Sequence, residues 1–236
     1  MTARADVHDS FRHRLVDAAY RRLAADGAAG LGMRKLAADL DVTPGALYRY
    51  VAGRDELLTI LVVDAYRSLN DAMRQAVTAQ ETADLDARWV AAWCAARDWA
   101  LEHCHEYELI YGTPVPGYRA PTDTIGPASG ITFLLASIAS ELIEASEVVA
   151  DPPCEQEPEG LEADVQQIRN WLAANQLPAT ASTEMILLTV EAWTTLIGAL
   201  SLELFGHYVG SIQHGGEYIE WLARRSFAAL RVAARQ

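Results

Sequence analysis

Cysteine is scarce in this chain of 236 residues: Cys94, Cys104 and Cys154 are the whole complement. An odd, thinly spread set cannot form the dense framework that staples small secreted domains, and a reducing cytoplasm suits it best. A basic-then-apolar leader is missing from the first residues, MTARADVHDSFRHRL, so no secretory signal is read there and a cytoplasmic location is expected. Uninterrupted membrane spans are missing too. The two most apolar stretches, 131–150 and 185–205, are broken by Glu141 and Glu144 and by Glu191 and Glu203. Each carboxylate near mid-span would cost roughly 2.5 to 3.5 kcal/mol in lipid, so buried helices are expected instead and no membrane partner. Nor is there a glycine-rich phosphate loop, a nucleophile elbow or an HExxH pair, and neither an enzyme nor a cofactor is expected.

What is present is helical periodicity. Phe11, Leu15, Ala18, Ala19 and Leu23 recur at three- and four-residue steps and predict a helix, which Gly27 should end in a left-handed cap. Short helices follow from Met33 to Leu40 and from Thr43, where threonine is a good N-cap and Pro44 loses nothing by lacking an N–H. Asp55 and Glu56 open a long helix from about Arg54 to Val77. Further helices are predicted at about 85–104, 131–148, 161–174, 182–205 and 217–233. Residues 111–130, rich in Gly and Pro, predict a loop holding at most one helical turn, and the acidic ADPPCEQEPEG of 150–160 a connector. No strand pattern stands out. The expected fold is all-α, with a helix-turn-helix domain at 1–53 and a larger helical domain at 54–236, residues 54–77 forming the connecting helix.

Charge is divided unevenly. Residues 1–54 carry nine Lys/Arg against six Asp/Glu, whereas the rest carry ten against 26 within a total net charge of −13. A basic end on an acidic body directs a polyanion to one place. That end holds RKLAADL-DVT-PGALYRYV, two short helices joined by a tight turn with small Ala37 at the crossing, Asp41 at the turn and Leu47 as the apolar anchor of the second helix. Burying Leu47 and Val51 leaves Pro44, Gly45, Tyr48 and Arg49 outward, with Tyr50 and Arg54 close by. Small residues at the start of such a helix let it approach a groove floor, and tyrosine and arginine supply phosphate and base contacts. Two packed helices that bind nothing would share the apolar spacing but not the Tyr/Arg cluster.

The run from Leu15 to Leu58, including GMRKLAADLDVTPGALYRYVAGRDELL, resembles the DNA-binding domain of the tetracycline-repressor (TetR) family of bacterial transcription regulators. ALSLELFGH at 199–207 resembles a stretch of the ligand-binding half of some members. Gly32 stands where a Thr or Ser cap is common, and Asp41 where glycine is usual at the turn. The resemblance implies a dimeric, ligand-responsive DNA-binding regulator that represses from a palindromic operator and is released by a small-molecule effector. It places Arg34 at a guanine edge, Thr43, Tyr48, Tyr50 and Arg54 on phosphates, and Pro44, Gly45 and Ala46 against base edges and thymine methyls; Arg49 reaches either.

It also implies a four-helix bundle made by the last two helices with their copies in a second subunit. Ile186, Leu187, Val190, Ile197, Leu200, Leu204, Trp221 and Leu222 are the expected dimer contacts. Trp89, Trp93, Tyr107, Tyr111, Phe133 and Trp193 are the aromatic candidates for an effector pocket, which the resemblance suggests takes an apolar or amphipathic molecule. His103, Cys104 and His105 with Cys94 lack the paired spacing of a zinc site, and no metal is expected. The alternative is a helical small-molecule or metal-binding protein with no regulatory role on DNA.

Overall fold

The computed structural model describes residues 3–146, 160–178 and 181–235, all of whose regular elements are helices. Cys154 and nearly all of the expected connector lie outside the described residues, as does the expected end of the helix at Val148. The helices are α1 (Ala3–Gly30), α2 (Met33–Asp39), α3 (Pro44–Leu47), α4 (Arg54–Thr78), α5 (Leu85–Glu102), α6 (Cys104–Tyr111), α7 (Ile125–Ala128), α8 (Gly130–Ala145), α9 (Glu162–Ala174), α10 (Thr183–Leu204) and α11 (Gly215–Ala233). One 3₁₀ turn, Thr122–Thr124, runs into α7, so the Gly/Pro-rich loop holds a slightly longer helical piece than expected.

Two compact units are formed, Met1–Leu69 with Glu102–Ala128, and Asn70–Leu101 with Ser129–Gln236. The parting in space therefore does not fall at residue 54, where a change of role is expected along the sequence. Leu57, Leu58 and Leu61 are the reason, because all three are fully buried in the core shared with α1, α2 and α3 and hold the first half of α4 in the first unit.

In the first unit, Leu15, Ala18 and Ala19 of α1 meet Leu36 and Ala37 of α2, Leu47 of α3 and Val51. Gly27 has a positive φ, 66°, but with ψ 174° it does not form the expected left-handed cap: α1 kinks there and runs one further turn to Gly30. Arg22 reaches from α1 to α2 and donates from Nε and Nη2 to the two carboxylate oxygens of Asp39, both at 2.6 Å. Lys35 Nζ lies 2.9 Å from Asp26. These partners hold both carboxyls below the usual range: for Asp39 chiefly the hydrogen bond from Arg22, for Asp26 that from Lys35.

Helix α2 ends in a motif that needs a left-handed residue. The N–H of Val42 donates to Ala37 O at 2.9 Å and that of Asp41 to Ala38 O at 3.2 Å, with Asp41 at φ 54° between them. Helix α9 ends the same way at Gln176 (φ 61°), and α10 at Gly206 (φ 77°).

The second unit is organised around α10, which packs on α11, α8 and α9. Helix α5 is tied in by Trp89, whose indole N–H donates to Ser226 Oγ at 3.0 Å while its ring lies 5.7 Å from that of Phe227. Two of the carboxylates that interrupt the apolar stretches have partners within this unit. Arg88 Nη2 donates to Glu141 at 2.8 Å, and Arg97 Nη2 to Glu203 at 2.6 Å. The first turn of α11 crosses the second pair so closely that a Cβ on Gly215 would sit 2.0 Å from Glu203 Oε1. Only glycine fits there without moving the carboxylate.

Candidate functional site

Three local features present the helix-turn-helix surface. Buried Leu47 and Val51 anchor α3, the left-handed Asp41 sets its direction after α2, and Pro44 stiffens its first turn. Arg34, Thr43, Pro44, Gly45, Tyr48 and Arg49 all come to the surface. Tyr48 is 55 % exposed, a high value for an aromatic ring. Thr43 occupies the N-cap position with extended backbone, φ −75° and ψ 148°, but its side chain makes no capping bond, contrary to the expected cap. A Cβ built on Gly45 would meet nothing within 4 Å. The protein's own packing therefore does not require glycine at that position.

Three expected members of this surface are placed differently. Ala46 is half-buried beside Leu47. Tyr50 is half-buried too, its ring stacked on that of Phe11 with centroids 4.3 Å apart. Arg54 turns inward: Nε donates to Leu31 O and Nη2 to Ala28 O, each at 3.0 Å, so the guanidinium ties the start of α4 to the chain leaving α1. Sequence reasoning missed this role because the acceptors are backbone carbonyls, which no residue pattern marks.

A cavity of about 370 Å³ opens in the second unit between α8, α9 and α10. Ile143, Ile168, Trp171, Met185 and Trp193 supply much of its wall. Of the expected pocket aromatics, Trp193 alone lines it. Trp89 and Trp93 are fully buried, in core packing with each other and, for Trp89, with Phe227. Tyr107 and Tyr111 lie in the first unit, where Tyr111 packs edge-on against Tyr66 at 5.9 Å. Phe133 is not among the lining residues and lies edge-on to Trp171 at 6.4 Å. Sequence reasoning missed Trp171, Ile168 and Met185: their helices are evident from periodicity, but which helix faces leave a gap depends on packing that periodicity does not carry.

The expected dimer contacts also separate into two groups. Ile186 and Leu200 are 4 % and 1 % exposed and belong to the interior of the unit. Val190 and Trp221 are exposed, at 37 % and 51 %, while Leu187, Ile197, Leu204 and Leu222 are half-buried. Leu202, Phe205 and Val232 add exposed apolar surface to α10, its C-terminal end and α11. The His and Cys residues around α6 do not gather: Cys104 is exposed, Cys94 half-buried, and His103 Nδ1 lies 3.5 Å from Glu106. Burial first, then Glu220 and Asp98, raise the Cys94 thiol above its ordinary range.

Comparison with known proteins bears on both units. Residues 15–59 match the family model for bacterial regulatory proteins of the tetR family, and residues 89–226 match the tetracyclin repressor-like C-terminal domain. The HTH-type transcriptional regulator Rv1816 of Mycobacterium tuberculosis is 33% identical over 211 residues, covering 87% of this chain and 85% of that protein. The crystal structure of the regulatory protein SCO4313 superposes with a TM-score of 0.76 at 31% identity, over 96% of this chain and 100% of that one. A Rhodococcus sp. RHA1 protein of unknown function shares the fold at a TM-score of 0.65 and 22% identity, over 94% of each chain. With its helix-turn-helix and its C-terminal helices each matched, and a regulator one-third identical along most of its length, the chain belongs to the TetR family of DNA-binding transcription regulators.

Proposed function

We propose that this regulator acts as a homodimer, represses by occupying a palindromic operator, and lets go when a small molecule binds its C-terminal half. In this reading residues 1–53 contact DNA and 54–236 sense and dimerise. Arg34 and Arg49 provide the outward cations, Thr43 and Tyr48 the hydroxyls for phosphates, and Pro44 and Gly45 the close approach to base edges. Tyr48 carries the proposal: an aromatic ring 55 % exposed on the helix-turn-helix beside exposed Arg49 suits contact with a sugar-phosphate backbone, and Gly45 leaves the backbone open to close approach. Tyr50 and Arg54 support the surface from behind.

Exposed apolar side chains on α10 and α11 support the dimer, since Val190, Leu202, Trp221 and Val232 leave large hydrophobic area on two helices of one unit. A regulator of this kind works where the chromosome is, in the cytoplasm, and is not an enzyme. The experiment is a mobility shift with DNA from beside the protein's own gene, at several salt concentrations. Log affinity should fall linearly with log salt, and a scrambled duplex should bind more weakly; equal binding to both would remove operator recognition.

A further inference from the structure

We infer that the cavity between α8, α9 and α10 is the effector site, and that it selects a neutral, largely apolar molecule carrying a hydrogen-bond donor over an anionic one. This rests on the ligand-responsive reading above and gives it a location and a chemistry. At about 370 Å³ the space is within the ~300–1,000 Å³ usual for small-molecule sites. Among the described residues, no Asp, Glu, Lys, Arg or His lines it. A carboxylate entering would lose its water and meet no cation, and a cation would meet no carboxylate, so charge of either sign is disfavoured.

The hydroxyls on the wall sharpen the selection. Thr132 Oγ1 donates to Ser129 O, Ser140 Oγ to Ala136 O and Thr189 Oγ1 to Met185 O, each at 2.8 Å. A hydroxyl has a single proton, and these three are spent on carbonyls of their own helices. They offer the cavity only oxygen lone pairs, which attract a donor and repel an anion. The remaining side-chain donors of this wall include the indoles of Trp171 and Trp193, each with one neutral N–H. Ser129 adds a hydroxyl, but neutral donors with no cation beside them do not offset the desolvation of a carboxylate. Val190 adds a link to regulation, being at once a wall of the cavity and one of the exposed apolar residues assigned above to the dimer seam.

Three probes with one skeleton separate the possibilities: 4-hydroxybiphenyl, 4-methoxybiphenyl and biphenyl-4-carboxylate, titrated calorimetrically at pH 7 into the full chain. The hydroxy compound should bind at least tenfold more tightly than the carboxylate and several-fold more tightly than the ether. Thr189→Val should erase the advantage of hydroxyl over ether while leaving the ether's affinity within twofold. Ala139→Phe, which fills the cavity, should abolish binding of all three; thermal melting of both variants reports that they fold. Carboxylate binding as tight as that of the hydroxy compound, binding that survives Ala139→Phe in a folded protein, or no binding of any probe would overturn the inference. Failure of the broader reading looks different: the hydroxy compound would bind as described yet leave operator affinity unchanged.

Discussion

The ring of Tyr50 lies stacked on that of Phe11, 4.3 Å between centroids and 28° between planes, so the residue after Arg49 holds α1 against the segment that follows α3. Its aromatic face is committed to packing. Tyr50→Phe should therefore keep the fold within about 0.5 kcal/mol, whereas Tyr50→Ala should lose the stack, worth about 0.5 to 1.5 kcal/mol, in addition to its buried area. Urea denaturation measures both, and operator titration of Tyr50→Phe tells whether the hydroxyl contacts DNA. Equal stability of the Ala and Phe variants would show that the stack contributes nothing.

Arg34 and Arg54 should behave differently although both are arginines of the DNA-binding unit. Arg34→Ala removes an exposed cation and should reduce the slope of log affinity against log salt by about 0.9 for each phosphate it neutralised, or relax preference at one guanine if it reads a base. Arg54→Ala removes the bonds to Ala28 O and Leu31 O and should lower stability by about 1 to 3 kcal/mol with little change in slope. A variant of Arg54 that melts like the parent but shows a flattened salt dependence would return the residue to the phosphate-contacting set.

Association should respond to Trp221 and folding to Leu200. Trp221→Glu places charge on a ring that is 51 % exposed in the single chain and should give a folded monomer in sedimentation at micromolar concentration. Leu200→Glu buries an unpaired carboxylate at a position 1 % exposed and should cost about 4 kcal/mol or more in stability, so it unfolds the unit before it reports on any interface. A Trp221→Glu protein that remains dimeric would move the seam elsewhere.

Acid should weaken the tie between α1 and α2. The folded-state carboxyl of Asp39 lies below its ordinary 3.8, so its contribution is complete above that value and is lost as pH falls through the lowered one. The melting-temperature gap between the parent and Asp39→Asn should be constant from pH 7 to 5, then shrink as the pH drops below about 4. A gap that is the same at pH 3 as at pH 6 would remove the ion pair with Arg22 as its source.

Helix ends show how far the sequence could be read. Asp41 and Gly206 mark left-handed helix ends with residues that tolerate them, and Asp41 in particular was legible as the turn, whereas Gly27 kinks α1 without ending it. Gln176 closes α9 with the same geometry, yet glutamine is no signal for it. The break between α5 and α6 was missed for a similar reason: His103 interrupts the helix at φ −118°, ψ 47° with neither Gly nor Pro at hand. The apolar faces of α4, α10 and α11 were evident from periodicity. Which of their residues end up inside one chain, as Ile186 and Leu200 do, depends on how helices far apart in sequence pack, and periodicity carries no information about that. The family resemblance implies a phosphate contact for Arg54, and only the positions of two carbonyl oxygens show its bonds within the fold.

The left-handed backbone at Asp41 acts as a filter on sequence change. Asparagine and glycine adopt that conformation readily, whereas valine or isoleucine would be strained there whatever the space around them. Aspartate's side chain at this position is exposed, so little packing would be lost by replacing it. The direction in which the chain leaves α2 for α3 thus depends on a torsional preference. Damage at this point would leave no cavity and no broken ion pair, only a recognition helix displaced in a protein that is otherwise intact.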